Sequence, residues 1–184
     1  MTSTPSPVPL TVLISGNGTN FQAIIDSIAL QTLPATIIRV ISNRKDVLGL
    51  ERARRPNIPT LYHNLVKYKK AHPPTDDGVR EARQKYDAEL ARLVLADQPK
   101  VVVCLGFMHV LSKTFLDPLE REGVRIINLH PALPGAFNGA VSFGWKGTRA
   151  WILNMVNANW WIFIRMLLSE PIRHGWRGRL IRLA

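Results

Sequence analysis

Ile126-Ile127-Asn128-Leu129-His130-Pro131-Ala132-Leu133-Pro134-Gly135 is the stretch on which the reading turns. Apolar residues run straight into an Asn-x-His pair and then into a proline-punctuated loop. In an α/β protein the end of a buried strand delivers polar groups to a site in this way. Alternation along a strand puts Asn128 and His130 on the same face. An amide that can polarise a carbonyl then stands beside an imidazole that can act as general acid or base. A lone histidine in a strand is more often structural. Here the strand end, the companion asparagine and the Pro/Gly loop together favour catalysis.

Working outward, the rest of the first 140 residues alternates strands with helices. Leu10 to Ser15 reads as a buried strand ended by Gly16. Asn20 to Leu30 has helical spacing, with Phe21, Ile24, Ile25 and Ile28 on one face. Thr36 to Ile41 is a second strand, Gly49 to Arg55 a helix stopped by Pro56, and Thr60 to His63 a short strand. His72 to Gly78 reads as a Pro- and Asp-rich loop. Val79 to Asp97 is a long helix with Tyr86, Leu90, Leu93 and Val94 inward. Lys100 to Leu105 is a core strand, Ser112 opens another helix, and Val124 to Leu129 is the strand of the opening stretch. The order implies an α/β fold with a doubly wound, mostly parallel sheet. Right-handed crossovers place the strand C-termini, and any ligand, along one edge. Gly18, Asn20, Asn128 and His130 are expected to converge there.

Two further segments follow strands. Gly16-Asn17-Gly18-Thr19-Asn20 opens a helix whose free N–H groups suit a phosphate. The dinucleotide pattern is absent: the third glycine is missing, and Asn43-Arg44-Lys45 stands where an acid would meet a ribose. A monophosphate is favoured over a dinucleotide, and a ligand-free tight turn fits the bare pattern equally well. Gly106-Phe107-Met108-His109-Val110-Leu111 can line a flat heterocycle pocket. The same residues can equally be a connection in which Phe107 and Met108 simply pack, with His109 at the surface or a pocket rim. Arg83 alone reads as a solvated helix charge.

Composition bounds the class. The 184 residues suit one domain. The single cysteine, Cys104, sits in an apolar strand, excludes an internal disulfide framework and fits a reducing, cytoplasmic setting. No metal-ligand spacing of Cys or His occurs. Residues 1–9 are uncharged and rich in Ser, Thr and Pro, and read as a short disordered leader rather than a signal peptide. Residues 141–184 carry seven Lys/Arg against Glu170 alone, more than half of the net charge of +11, and all five tryptophans. Basic charge suggests nucleic acid or anionic substrates. No groove-reading motif accompanies it, so no nucleic-acid partner is expected.

Taken in order, residues 10–140 resemble the phosphoribosylglycinamide formyltransferases, the folate-dependent transformylases of purine (IMP) synthesis. The matching pieces are Val12 to Asn20, Ser42-Asn43-Arg44-Lys45-Asp46, Gly106 to Leu111 and Ile127 to Pro131. The wording from Leu129 to Ala140 looks like the fungal branch. The resemblance implies formyl transfer from 10-formyltetrahydrofolate, a consumed co-substrate, to the amine of glycinamide ribonucleotide, without a metal. Gly18, Thr19 and Asn20 would hold the nucleotide phosphate. Arg83 and the backbone of Met108, His109, Val110 and Leu111 would meet the folate. Asn128 would stabilise the oxyanion, and His130 would act with it or shuttle the proton. A formyltransferase for another amine is a neighbouring reading, against which Gly18-Thr19-Asn20 argues for a phosphorylated substrate. Oligomeric state is not legible.

After Ala140 the resemblance stops. The family continues with an aspartate, in an Asp-x-Gly-type turn, that orients the histidine; residues 141–184 contain no aspartate. Loss of the comparable third member of a hydrolytic triad costs several kcal/mol of barrier. Three readings of 141–184 compete. It can be a different C-terminal element. It can be an interfacial segment, since Trp151 to Leu168 is apolar yet interrupted by Asn154, Asn157, Asn159 and Arg165 and short for a span. Or it can be retained intron followed by exon in the wrong frame. Val141-Ser142 can be encoded GTA-AGT, a splice donor, and Ala158-Asn159 can be GCT-AAC, containing a branch sequence. Arg165 can be AGA, so that an acceptor AG ends inside its codon. Shifted from that point, codons for Met166 to Ala184 can read NAIERAHTAWMEGKIDKTG, which resembles the family's continuation after Gly139-Ala140. The shift fixes the middle base of nearly every recovered codon, so agreement over the whole stretch is hard to reach by chance.

This third reading is the expectation taken forward: an incomplete and inactive transformylase with an unselected tail. Such a tail should pack poorly on residues 10–140 and expose tryptophans, with at most a local helix around Trp151 to Leu168. The alternative is a non-catalytic nucleotide-binding module whose tail docks on a membrane or a partner.

Overall fold

The computed structural model describes residues 6–130 and 150–154. Its first strand, β1 (Val8–Ile14), is the centre of a six-stranded sheet in the order β3-β2-β1-β4-β5-β6. The other strands are β2 (Ala35–Ser42), β3 (Thr60–Tyr62), β4 (Val101–Leu105), β5 (Arg125–His130) and β6 (Ala150–Asn154). Every pairing is parallel. β1 has buried neighbours on both faces, which is why Leu10 to Ile14 lacks the alternation of a half-exposed strand.

The helices divide between the two faces. α1 (Thr19–Ala29) and α2 (Leu48–Arg54) cover one. There Phe21, Ile24, Leu50 and Ala53 pack on Leu10, Val12, Ile14, Val103 and Ile127. On the other lie α4 (Asp76–Ala96) and α5 (Lys113–Arg121). Tyr86, Leu90, Val94, Phe115 and Leu119 pack there on Leu13, Ile41, Val102, Cys104 and Ile126. The short α3 (Leu65–Lys70) lies beside α4, where the Tyr68 ring meets the edge of Tyr86. An ion pair between Arg39 of β2 and Asp97, at the C-terminus of α4, ties that helix to the sheet.

The doubly wound parallel sheet and the inert, buried Cys104 agree with the sequence reading. Several details differ from it. Val8 and Pro9 belong to β1 rather than to a leader: Val8 N–H donates to Pro34 O, and Pro9 O accepts from Lys100 N–H. The proline sits near the strand start, where a missing donor costs little. Residues 1–5 lie outside the described residues. α4 begins at Asp76 inside the expected loop, because the Thr75 hydroxyl caps Gly78 N–H and two acids fill the first turn. α3 was not anticipated. Its local signal is one capping residue, Asn64, which accepts from Val66 N–H.

β2 also breaks strict alternation. The register passes from Leu10↔Ile37 to Thr11↔Arg39, leaving Ile38 as the extra residue of a bulge. Ile37 and Val40 therefore face the same core. Residues 150–154 form β6 on the outer edge of β5, with Ile126↔Ala150 and His130↔Asn154 paired. This corrects the expectation of an unsettled or helical tail for those five residues. An open strand edge offers a row of unpaired donors and acceptors, and Trp-Ile-Leu is a β-forming run that can take them. The expectations for 141–149 and 155–184 lie outside the described residues.

Candidate active site at the sheet switch point

Strand order reverses between β1 and β4, and in such sheets the crevice beyond the carboxyl ends of those strands receives the ligand. The register shows what gathers there. Ile14 pairs with Leu105 and with Ser42, Leu105 pairs with Leu129, and Leu129 with Leu153. The segments starting at Ser15, Asn43 and Gly106, and the end of β5 at His130, thus share one edge. A direct bond joins the two central loops: Met108 N–H donates to the Ser15 hydroxyl oxygen at 2.6 Å.

The glycine loop has the form of an anion cradle. Gly18 is the N-cap of α1 in the left-handed region, at φ 66°, and no side chain caps the helix. Its first N–H groups thus lack the usual capping acceptor. Gly16 faces open space, with nothing within 4 Å of where its Cβ would stand. Gly18 has no such room, since a Cβ there would lie 2.9 Å from Gly49 Cα. The loop is buttressed by α2. Gly49 N–H donates to Gly16 O at 3.2 Å, and the Arg52 guanidinium donates to Asn17 O at 2.9 Å and to Gln22 Oε1 at 3.0 Å.

The second wall is the segment after β4. Gly106 takes φ 65° with open space around its Cβ position, and Met108 is 72% exposed. His109 is not the surface or rim histidine anticipated. Its side chain is buried, and Nε2–H donates to Asp87 Oδ1 at 2.6 Å. The ring lies edge-on to Tyr86, 4.8 Å between centroids. The other carboxylate oxygen of Asp87 accepts from Ser112 N–H at 2.8 Å. Arg83 stands one helical turn before Asp87 on α4, half-buried.

Asn128 is half-buried near the end of β5, paired in register with Cys104 and Ile152. It alternates with Ile126, which packs on the α4–α5 face, so Asn128 lies on the side of the sheet that carries the Met108 to Ser112 segment. His130 is the last residue of β5, with Asn154 opposite it. The structure therefore brings the glycine loop, the Gly106–Leu111 segment, Asn128 and the backbone of His130 to one edge.

Four contributors escaped the sequence reading: Ser15, Gly49, Arg52 and Asp87. Only Asp87 left a signal. It is an acid on the apolar face of α4, flanked by Tyr86 and followed one turn later by Leu90.

A profile described as formyl transferase matches residues 9–148. The chain is 53% identical over 132 residues to the phosphoribosylglycinamide formyltransferase of Schizosaccharomyces pombe, covering 71% of this chain and 61% of that protein. It is 43% identical over 143 residues to that of Saccharomyces cerevisiae, covering 74% of this chain and 66% of the relative. Among solved structures, phosphoribosylglycinamide formyltransferase from Coxiella burnetii superposes with a TM-score of 0.59 at 37% identity, over 73% of this chain and 56% of that one. The chain thus spans about three-fifths of the length of the relatives it matches.

Proposed function

Because the chain belongs to the formyl transferase family, we propose that residues 10–140 are the substrate-binding and reacting half of a fungal-type phosphoribosylglycinamide formyltransferase. The observation that carries this is the junction of two walls at the switch point, an uncapped helix N-terminus beside an exposed backbone segment, bridged by Ser15 and Met108.

A ribonucleotide phosphate suits the first wall. The N–H groups of Gly18, Thr19 and Asn20 supply donors and positive potential, and Arg52 adds a cation behind Asn17. A folate suits the second, where Met108 to Leu111 can offer backbone edges while the His109 ring is turned away and Arg83 supplies charge. 10-Formyltetrahydrofolate brings the activated formyl carbon when bound. Attack by the substrate amine forms a C–N bond to that carbon, and the bond to the folate nitrogen breaks. Charge gathers meanwhile on the formyl oxygen, and the Asn128 amide is assigned the hydrogen bond to it. His130 is assigned the proton leaving the attacking amine and returned to the folate nitrogen.

We further propose that this chain is catalytically incomplete, and that residues 141–184 are translated intron followed by out-of-frame exon. The support is that Val141-Ser142, Ala158-Asn159 and Arg165 admit splice-donor, branch and acceptor codings, and that residues 141–184 contain no aspartate. In this reading β6 is an apolar run paired on a free strand edge, not the family's own element.

The test has two parts. The mature message should join the codons of Gly139-Ala140 directly to those for Asn-Ala-Ile-Glu-Arg-Ala. The protein made from the joined frame should formylate glycinamide ribonucleotide, and the 184-residue chain should not. A dominant message retaining Val141 to Arg165 refutes the splice reading. Ordinary turnover by the 184-residue chain refutes its incompleteness, and no turnover by the joined protein refutes the assigned activity.

A further inference from the structure

Asp87 is fully buried, on the face of α4 that otherwise carries Tyr86, Leu90, Ala91 and Val94. A carboxylate in such a place is costly unless both oxygens are satisfied. Here both are, and by one short segment: Oδ1 accepts from the His109 ring and Oδ2 from the Ser112 backbone. Only Val110 and Leu111 separate the two donors, so the pair of bonds fixes the direction of the chain between them. On the other side Met108 N–H is held by Ser15. The stretch from Met108 to Ser112 is thus pinned at three points, all from outside itself. Its one large exposed side chain is Met108.

We propose that Asp87 is a positioning residue. Its carboxylate draws His109 inward and anchors Ser112, so that the Gly106–Leu111 segment meets its ligand with a fixed backbone. His109, in this arrangement, is the handle by which the segment is held, not a group that touches the ligand. A purely structural alternative exists, in which Asp87 only caps the first turn of α5. The two differ in where the damage falls when the carboxylate is removed.

The experiment uses the full chain with Asp87→Leu, which keeps the branched skeleton and removes both acceptors, and Asp87→Asn. The amide oxygen of the latter can still take Ser112 N–H, and its nitrogen can still meet the imidazole. Amide hydrogen exchange is read residue by residue. For Asp87→Leu the amides of Phe107 to Ser112 should exchange about tenfold faster, those of β4 and of Ala88 to Val94 changing less than about twofold. Asp87→Asn should give a smaller rise at the same amides. No rise there, or a uniform rise through α4, α5 and β4, overturns the proposal. If Asp87→Leu does not fold, Asp87→Asn decides by the same criteria.

The ligand arm rests on the formyl transferase reading and uses folic acid and inorganic phosphate as probes. Asp87→Leu, or Asp87→Asn in its place, should weaken folic acid several-fold and leave phosphate unchanged. Equal loss of both marks Asp87 as merely structural and overturns the positioning role. Absence of folic-acid binding by the parent chain counts against the function assigned to this chain, while the exchange result still decides whether Asp87 holds the segment.

Discussion

Gly49→Ala is the sharpest test of how α2 supports the glycine loop. A Cβ at Gly49 would lie 2.6 Å from Ile14 Cδ1 and 2.8 Å from Gly16 O, where ordinary contact begins at 3.4 Å. Ile14 is fully buried in the core, and Gly16 O is backbone, so neither can swing away cheaply. The loop and α2 must separate by roughly half an ångström or more. Overpacking of this kind costs about 1–3 kcal/mol. Alanine recovers at most about 1 kcal/mol of helix propensity, and less so near a helix start. The net is a destabilisation of about 1 kcal/mol, or a melting temperature lower by about 2–4 °C for a chain of this size. The same displacement moves the mouth of α1, so inorganic phosphate should bind more weakly. Gly16→Ala is the control. Its Cβ meets nothing within 4 Å, so stability should hold or rise by about 0.4–1 kcal/mol, and any loss of phosphate affinity then comes from filling the site itself. Thermal unfolding by circular dichroism and calorimetric titration with phosphate read the two effects. If Gly49→Ala melts at or above the parent temperature with phosphate affinity intact, the buttress argument is wrong.

Three other outcomes follow from the same structure. Phe115 is fully buried between α5 and the sheet, so Phe115→Ala should cost about 3–5 kcal/mol, seen as a lower urea midpoint; a loss under 1 kcal/mol, on the order of a surface change, would contradict its place in the core. Burial lowers the His63 imidazole below its ordinary 6.5, opposed by its bond to Tyr86 O and by Glu89 and Asp87 and aided by Lys67. Its contribution is fully present above 6.5 and declines as pH falls below that value, because the unfolded chain then takes up the proton first. The urea midpoint should therefore drop between about pH 7.5 and 5.5, and His63→Phe should flatten the drop; an identical slope in both proteins sinks the assignment. Burial pushes the Cys104 thiol up to about 12. Iodoacetamide should leave it unmodified in the folded protein and alkylate it in urea, whereas fast native labelling would place it at the surface.

The apolar runs of β1, β2, β4 and β5 state their own burial, and the intervening amphipathic helices force parallel crossovers, so the doubly wound class and the edge that carries the candidate site were legible in sequence. The glycine loop, the Asn128 strand end and the inertness of Cys104 were legible for the same reason, each being a local pattern of a few residues. What sequence could not give were pairings across long separations. Ser15 and Met108 are 93 residues apart, Asp87 and Ser112 are 25 apart, and Arg52 reaches back 35 residues to Asn17. None of these leaves a periodicity, because each needs one polar atom brought to one place by the packing of whole elements. His109 shows the consequence most plainly. Its neighbours suggest an exposed loop histidine, but α4 packs a buried carboxylate against that loop, and the cost of leaving it unpaired turns the ring inward. β6 is the same lesson at the backbone: the chemistry of Ala150 to Asn154 permits a strand, and only the free edge of β5 makes it one.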